Sequence, residues 1–334
     1  VNKYVSDITS FGATQVFPSK TTYTCILTLS KKQSNNFCYT EITSLDDWKK
    51  RINAPQENII KSNSISGNTW LLMPKELDPI YKKITSSTLT LEAIIGSKNI
   101  GNGIQTSANP IYIHKPSCHD KKYIYFKKDG INWQIEKQLT KPYFKTPRSN
   151  SDVDDGLHTH RVFTPNAFVI YPYEKIGGKV KLVNLKKLKN KFPFLHKYLT
   201  TYKDKLSKRA MPKNTLPNKW HQYGRNQNLD KCAVPEKIIV GVNSNGNKYA
   251  IDCSGVLISS GGTAGYCMIT IPDNLQYSTH YLQALLNSKY SEWVASLYGE
   301  VFRGGYIARG TKVLKNLPII EIDFKDEKSR ETHD

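Results

Sequence analysis

Between Lys175 and Lys213 the chain places thirteen Lys or Arg side chains and a single acid, Asp204. A segment with that much self-repulsion folds only if its cations turn to one side and something apolar holds the other. The sequence supplies that apolar side. After Pro193, residues Phe194, Leu195, Tyr198, Leu199, Tyr202 and Leu206 recur at three- and four-residue steps, which predicts one helix with a stripe against a core. Lys197, Lys203, Lys205, Lys208 and Arg209 fall outside the stripe, so the same helix offers a basic face to solvent or to a polyanion.

Over all 334 residues, 48 Lys and Arg against 28 Asp and Glu give a formal charge of +20. That exceeds what solubility requires, and nucleic acid leads the polyanions it would attract. A chain from a Lys-rich, AT-biased genome would also drift basic. Concentration of the charge in one stretch, interleaved with Phe192, Phe194, Tyr198 and Tyr202, favours a binding role. Cys25, Cys38, Cys118, Cys232, Cys253 and Cys267 are scattered without a C-x-x-C pair, so they read as reduced cytosolic thiols rather than a zinc site or disulfide framework. No run approaches the ~20 apolar residues of a membrane span. The opening VNKYVSDITSFG lacks the pattern of a secretory leader, so the expectation is a soluble cytoplasmic protein with no membrane partner.

Along the chain, VNKYVSDITSFG reads as a helix end and a turn, with Val1 where an initiator Met would stand, as in an excised piece. TYTCILTLSKK reads as a strand apolar on both faces, the pattern of a strand buried in a larger sheet. A polar stretch follows from Lys31 to Asn58, and Leu77, Ile80, Tyr81 and Ile84 then give Trp70 to Ile95 a helical period. GSKNIGNGIQTSANP is a loop running into the strand IYIHK, and IYFKKDGINWQIEK is a hairpin turning at Asp129-Gly130. AFVIYPYE, KIIVGV and YAIDCSGVLISS are strands, and a long helix runs from about Ser278 to Tyr298 with Gly299 ending it. The fold class is α+β, with mixed β-sheets and packed helices in two subdomains.

Catalytic patterns are weak. The glycines of GSKNIGNG lack the G-K-[ST] of a phosphate cradle. Asp273 and the Asp323-Phe-Lys325 triplet superficially match the carboxylates of a Mg²⁺ nuclease, but the spacing is long and Asp273 sits where a turn or helix cap belongs. Asp152, Asp154, Asp155, His158 and His160 have metal-ligand chemistry, yet they lie in a polar loop, and no metal site is expected. Asn109-Pro110-Ile111-Tyr112 has only a superficial likeness to the N-P-P-Y element of adenine methyltransferases. The expectation is therefore a fragment without catalytic residues.

Two groups of residues carry a family resemblance. VFPSKTTYTCILTLSK is similar to motif VIII, near the end of the catalytic fold of TaqI-like adenine-N6 DNA methyltransferases. An entry helix containing Trp70, GNGIQTSANPIYI, AFVIYPYE, FPFLHKYLTTYKDKLSKR, the cluster from Trp220 to Arg225, KIIVG and YLQALLNSKYSEWVASLYG followed by LKNLPII resemble, in order and spacing, the C-terminal specificity domain of Eco57I-type restriction-modification proteins. The resemblance implies a methyltransferase specificity-domain type of fold. It implies residues 1–45 as a C-terminal remnant of a methyltransferase fold, 46–60 as a linker, 61–325 as a DNA target-recognition domain with subdomains near 61–175 and 176–325, and 326–334 as a frayed tail. It also implies that Phe17 stacks on an extruded adenine in the intact enzyme; as a bare sequence feature, Phe17 reads equally well as a core residue at a sheet end. The cofactor S-adenosylmethionine would belong to the upstream methyltransferase core of the same polypeptide, with none held here, and an endonuclease could be fused to the parent.

The partner expected is double-stranded DNA at the bacterial nucleoid. Phosphate contacts are expected from Lys203, Lys205, Lys208, Arg209, Arg303 and Arg309. Base contacts are expected from the loops holding Gln105, Thr106 and Asn109, and Arg148, His158, His160 and Arg161, with Arg225 either reading DNA or fixing the loop after Trp220. Two other readings stand beside this one. A stand-alone specificity subunit would carry long paired spacer helices that the sequence lacks, and a Mg²⁺-dependent nuclease would use Asp273 and Asp323.

Overall fold

The computed structural model describes residues 2–20, 22–52, 55–65, 70–145, 165–211, 215–246, 248–260 and 265–334. The fold is α+β, with short helices packed on several small sheets. It divides into two compact units. One comprises Val1–Ile94, Asn243–Asn247 and Ala284–Asp334, and the other comprises Ile95–Val242 and Lys248–Gln283.

The first unit is built on a four-stranded sheet in the order Cys25–Leu29, Val5–Ser10, Asn36–Glu41, Glu57–Lys61. Val5–Ser10 runs parallel to Asn36–Glu41, and the two outer pairings are antiparallel. Val5, Ile8, Phe37, Tyr39 and Ile65 form its core. Val5–Ser10 is thus a strand where the sequence suggested a helix end; Val5 and Ile8 are buried while the rest stay half-buried, the register shifting between Val5 and Asp7. The Cys25–Leu29 strand differs from expectation too: it is an edge strand exposed along its whole length. Its apolar residues on both faces promised burial, but among the described residues only one neighbour pairs with it.

The segment expected as a linker contains the helix Leu45–Lys50 and the strand Glu57–Lys61. Ser44 starts the helix, its hydroxyl accepting from the Asp47 N–H, and Asp46 and Asp47 sit at the positive end. Six residues are too few to show a period. The helical stretch near residue 80 is confined to Asp78–Ser86, with Pro79 in its first turn. The long helix expected after Ser278 is two, Thr279–Leu286 and Lys289–Tyr298, because Ser288 turns its hydroxyl to the Ser291 N–H and restarts the hydrogen-bond ladder.

The second unit carries an antiparallel sheet in the order Ala250–Asp252, Lys237–Gly241, Tyr266–Ile269, Ile100–Asn102. Beside it lie two three-stranded sheets and the hairpin Tyr173–Ile176 with Lys179–Leu182. Asp129 and Gly130 turn the Tyr123–Lys128 and Ile131–Glu136 hairpin with φ of 51° and 79°, the left-handed pair that a two-residue turn needs. The basic stretch folds into the helices Leu185–Lys191, Pro193–Thr201 and Lys203–Lys208.

Leu195, Tyr198, Leu199 and Leu206 are fully buried and Tyr202 nearly so, each leucine contributing roughly 2–3 kcal/mol. Phe194 leaves the stripe, half-exposed beside Tyr123. The helix restarts at Tyr202, whose hydroxyl donates to the Asp129 carboxylate at 3.0 Å. Glu136 caps Pro193–Thr201 from another element, its two oxygens accepting the Phe194 and Leu195 N–H groups.

His114 lies inside this core, stacked on Phe126 with its Nε2 at 2.8 Å from both the Ile111 carbonyl and the Tyr198 hydroxyl. Burial pushes its pKa down to about 4, and burial lowers that of His221 as well. An unfolded histidine takes its proton near 6.5, so the unfolded chain binds protons first as pH falls. Stability from this neutral histidine is full above about 6.5 and is lost as pH drops through about 4. The melting temperature is expected to fall between pH 7 and pH 5, and His114→Gln to remove part of that fall. An identical drop in both proteins contradicts the assignment.

Candidate nucleic-acid interface

Residues 103–106 run between two other segments of the second unit. On one side Ile104 pairs with Ser259, with the Ile104 N–H donating to the Ile258 carbonyl at 2.8 Å and the Ser260 N–H to the Ile104 carbonyl at 2.8 Å. On the other side Gln105 faces Arg225 across an antiparallel bridge, with Arg225 N–H to Gln105 O at 3.1 Å and Gly224 N–H to Thr106 O at 3.0 Å. Glycine is required at both approaches. A Cβ at Gly103 would stand 2.1 Å from the Ile258 carbonyl oxygen, and one at Gly224 would stand 2.0 Å from the Ser107 hydroxyl.

Arg209 ties these segments together. Its guanidinium donates to the Thr106 carbonyl at 2.6 Å, to the Trp220 carbonyl at 3.2 Å and to the Gln222 carbonyl, and lies over the Tyr112 ring at 5.4 Å. Tyr112 in turn donates to the His221 carbonyl at 2.9 Å, and burial pushes its hydroxyl up to about 12 despite the nearby guanidinium. The guanidinium is thus consumed by backbone carbonyls, and Arg209 is a tie between loops rather than a phosphate contact. Sequence alone could not separate it from Lys208, one residue earlier.

Thr106 is also internal, 1% exposed, its hydroxyl bonded to the Asn109 side-chain oxygen at 2.5 Å and accepting from the Ala108 N–H. Asn109 itself is exposed. Its neighbours Ile111 and Tyr112 are buried, so the Asn-Pro-Ile-Tyr segment serves the core. Gln105 is half-buried, Arg225 is exposed, and neither side chain has a hydrogen bond or ion pair among the described residues. Lys203, Lys205 and Lys208 are exposed along their helix, with Lys205 over the Tyr202 ring at 5.8 Å. Arg148, His158, His160 and Arg161 lie outside the described residues. Lys145 and Asn166, which lie on either side of them in the sequence, are joined: Asn166 accepts the Lys145 N–H and donates to the Lys145 carbonyl.

A cleft of about 790 Å³ in this unit went unnoticed at the sequence level. Lys141, Lys175, Lys187 and Lys191 line it around Tyr171 and Phe192, against two acids, Glu174 and Asp230. Lys187 is paired with Glu174, and Lys141 lies over the Tyr171 ring at 6.0 Å. Lys175, Lys187 and Lys191 belong to the basic stretch, so the signal was its extent beyond the stripe-bearing helix.

The first unit holds the remaining candidates. Gln15 donates from its side-chain nitrogen to the Phe17, Pro18 and Lys20 carbonyls at 3.1, 3.1 and 2.8 Å, stapling a turn that leaves Phe17 51% exposed. That exposure sets aside the core reading of Phe17. The loop also carries Tyr23, whose hydroxyl accepts the Arg303 N–H at 2.9 Å while its ring meets Phe302. Arg303 is exposed at a turn closed by Gly304 and Gly305 with φ of 78° and 77°. Arg309 differs from expectation: it is fully buried, its guanidinium donating to the Ser244 carbonyl and hydroxyl at 2.8 Å each and pairing with Glu292.

For the nuclease reading, Asp273 sits within a turn closed by the Leu275 N–H on the Pro272 carbonyl, and Asp323 accepts the Lys325 N–H in another local turn. The described residues contain no group of three or more His, Cys, Asp or Glu placed to hold a metal ion. No helix among them is long and apolar enough to cross a membrane.

Residues 180–319 match the family model of the TaqI-like C-terminal specificity domain. Arg209, Arg225, Lys187 and the Lys203–Lys208 helix fall within the match; Phe17 and Gln105 precede it. Over 340 residues the chain is 46% identical to the type II restriction enzyme and methyltransferase RM.Eco57I of Escherichia coli, with 100% of this chain and 33% of that protein covered. The chain therefore spans about a third of the length of this curated relative. Two solved structures are similar more loosely. The type IIL restriction-modification enzyme MmeI in complex with DNA gives a TM-score of 0.49 at 12% identity, over 98% of this chain and 36% of its own. The type IIG restriction endonuclease BpuSI gives 0.36 at 10% identity, over 99% and 38%.

Arg303 and Arg309, both in the first unit, should separate in a stability measurement. Arg309→Met leaves Glu292 and Ser244 without their partner in a buried site and is expected to cost roughly 3–5 kcal/mol in urea denaturation. Arg303→Ala removes an exposed side chain and should stay within about 0.5 kcal/mol of the parent. Equal losses would contradict the division.

Proposed function

We propose that this chain recognises a target sequence in duplex DNA for a bacterial adenine-N6 methyltransferase of a restriction-modification system. The match of residues 180–319 to a specificity domain carries the reading. The charge of +20 and the lysine-lined cleft support it, because phosphates supply most of the affinity of such a domain and are drawn to cations that have no partner within the protein.

In this reading Lys203, Lys205 and Lys208, with the cleft lysines Lys141, Lys175 and Lys191, contact the phosphate backbone, and so does Arg303 in the first unit. Base edges are read from the framework around Arg209, by Gln105, Asn109 and Arg225, and from the loop holding Arg148, His158, His160 and Arg161. Phe17, lifted on its stapled turn, replaces the stacking that an extruded adenine loses. The methyl donor S-adenosylmethionine and the transfer chemistry belong to the rest of a longer polypeptide built like the Escherichia coli relative, with or without an endonuclease. The setting is the bacterial cytoplasm, at the nucleoid.

Fluorescence anisotropy with a labelled duplex between 50 and 200 mM salt tests the electrostatic half. Affinity is expected to fall about a hundredfold or more, as each neutralised phosphate releases counterion. Changing Lys203, Lys205 and Lys208 together to Gln should flatten the logarithmic slope by about one for each lysine that meets a phosphate. A wild-type response that is flat in salt contradicts the proposal.

A further inference from the structure

Base reading demands side chains that are unoccupied in the free protein yet fixed in position, since a polar group already paired internally has nothing to offer a base edge. Gln105 and Arg225 meet both conditions. They stand directly opposite each other on an antiparallel bridge, where paired side chains project from the same face roughly 5 Å apart. Thr106, the next residue along, turns the other way and is buried, so the face shared by Gln105 and Arg225 is the outer one. Neither side chain has a partner among the described residues.

The backbone beneath them is held from several directions. Arg209 chelates the carbonyls of Thr106, Trp220 and Gln222. Gln227 donates to the Gly103 carbonyl at 3.1 Å and to the Ser260 hydroxyl at 2.9 Å. The Tyr173 hydroxyl donates to the Asn226 side-chain oxygen at 2.9 Å and accepts the Tyr223 N–H. These supports are nearly all side chain to backbone, so they set where the two residues stand without using either side chain.

We infer that Gln105 and Arg225 form one specificity-determining pair that reads neighbouring base pairs of the target, with Arg209 as the positioning residue that fixes their spacing. This rests on the DNA-recognition reading above. Arg225 suits the two acceptors on the major-groove edge of guanine, and Gln105 suits the acceptor and donor of adenine. Their separation of roughly 5 Å compares with a rise of about 3.4 Å per base pair, so the positions they read lie within two base pairs of each other.

The test is selection of duplexes from a randomised library by the 334-residue chain and by four variants. Wild type should enrich a motif. Arg225→Ala should lose at least about tenfold discrimination at one G·C position, Gln105→Ala similarly at one A·T position at most two base pairs away, and the double variant both, with the rest of the motif intact. Neither side chain is hydrogen-bonded or ion-paired among the described residues, so melting temperatures should stay close to wild type and exclude misfolding.

Arg209→Lys keeps the charge but loses the planar fork. It should blur both positions together, whereas loss of a phosphate contact would weaken all sequences alike. If wild type enriches a motif that both Ala variants preserve, or if the affected positions lie farther apart than two base pairs, the pair is overturned and DNA recognition stands. If wild type enriches no motif, the recognition reading falls and the pair with it.

Discussion

One guanidinium organises the second unit. Arg209 binds three backbone carbonyls where two loops meet, and it does so from the end of the basic Lys203–Lys208 helix. Because a guanidinium has five donors in a fixed plane, the contact sets both the distance and the angle between the loops. Leu206 and Tyr202 bury the helix against the core, so the position of Arg209 follows from the hydrophobic stripe. The recognition framework is in this sense a consequence of core packing, passed outward through one charged side chain.

The same economy runs through the other buried charges. Lys237 and Asp252 form an ion pair with no exposed surface. The Asp252 carboxylate also accepts the Ser254 and Val256 N–H groups at 2.9 and 2.8 Å, while Lys237 donates to the Val234 carbonyl. Burying such a pair gives little net stability, but it fixes geometry. Here it fixes the start of the 256–260 segment that lies beside Ile104. In the first unit Arg309 likewise joins Ser244 to Glu292. Cations therefore divide into those that build the units and those left to a polyanion.

That division explains what was legible in the sequence. The apolar stripe through Leu195, Tyr198, Leu199 and Leu206 and the Asp129-Gly130 turn were readable because each depends on local periodicity or on a left-handed backbone that few residues accept. The breaks at Tyr202 and Ser288 were not, since the apolar period continues through both; a side-chain hydroxyl caps the new helix at Ser288, and no side chain marks the restart at Tyr202. Residues 25–29 looked buried because composition reports how apolar a strand is and not whether anything covers it. At the site, charge revealed where cations gather along the chain. It could not show that Arg209, Arg309 and Thr106 are turned inward, because only contacts with residues distant in sequence decide that. Gln105 and Arg225 are 120 residues apart, and no spacing rule would have paired them.

Hydrogen–deuterium exchange on the free chain most directly tests whether the framework exists before DNA arrives. The Gly224, Arg225 and Ser260 N–H groups, bonded to Thr106, Gln105 and Ile104, should exchange slowly without DNA and faster in Arg209→Lys. If these amides exchange like open loops in the wild-type protein and slow only when a duplex is added, the framework is assembled by DNA and the account is contradicted.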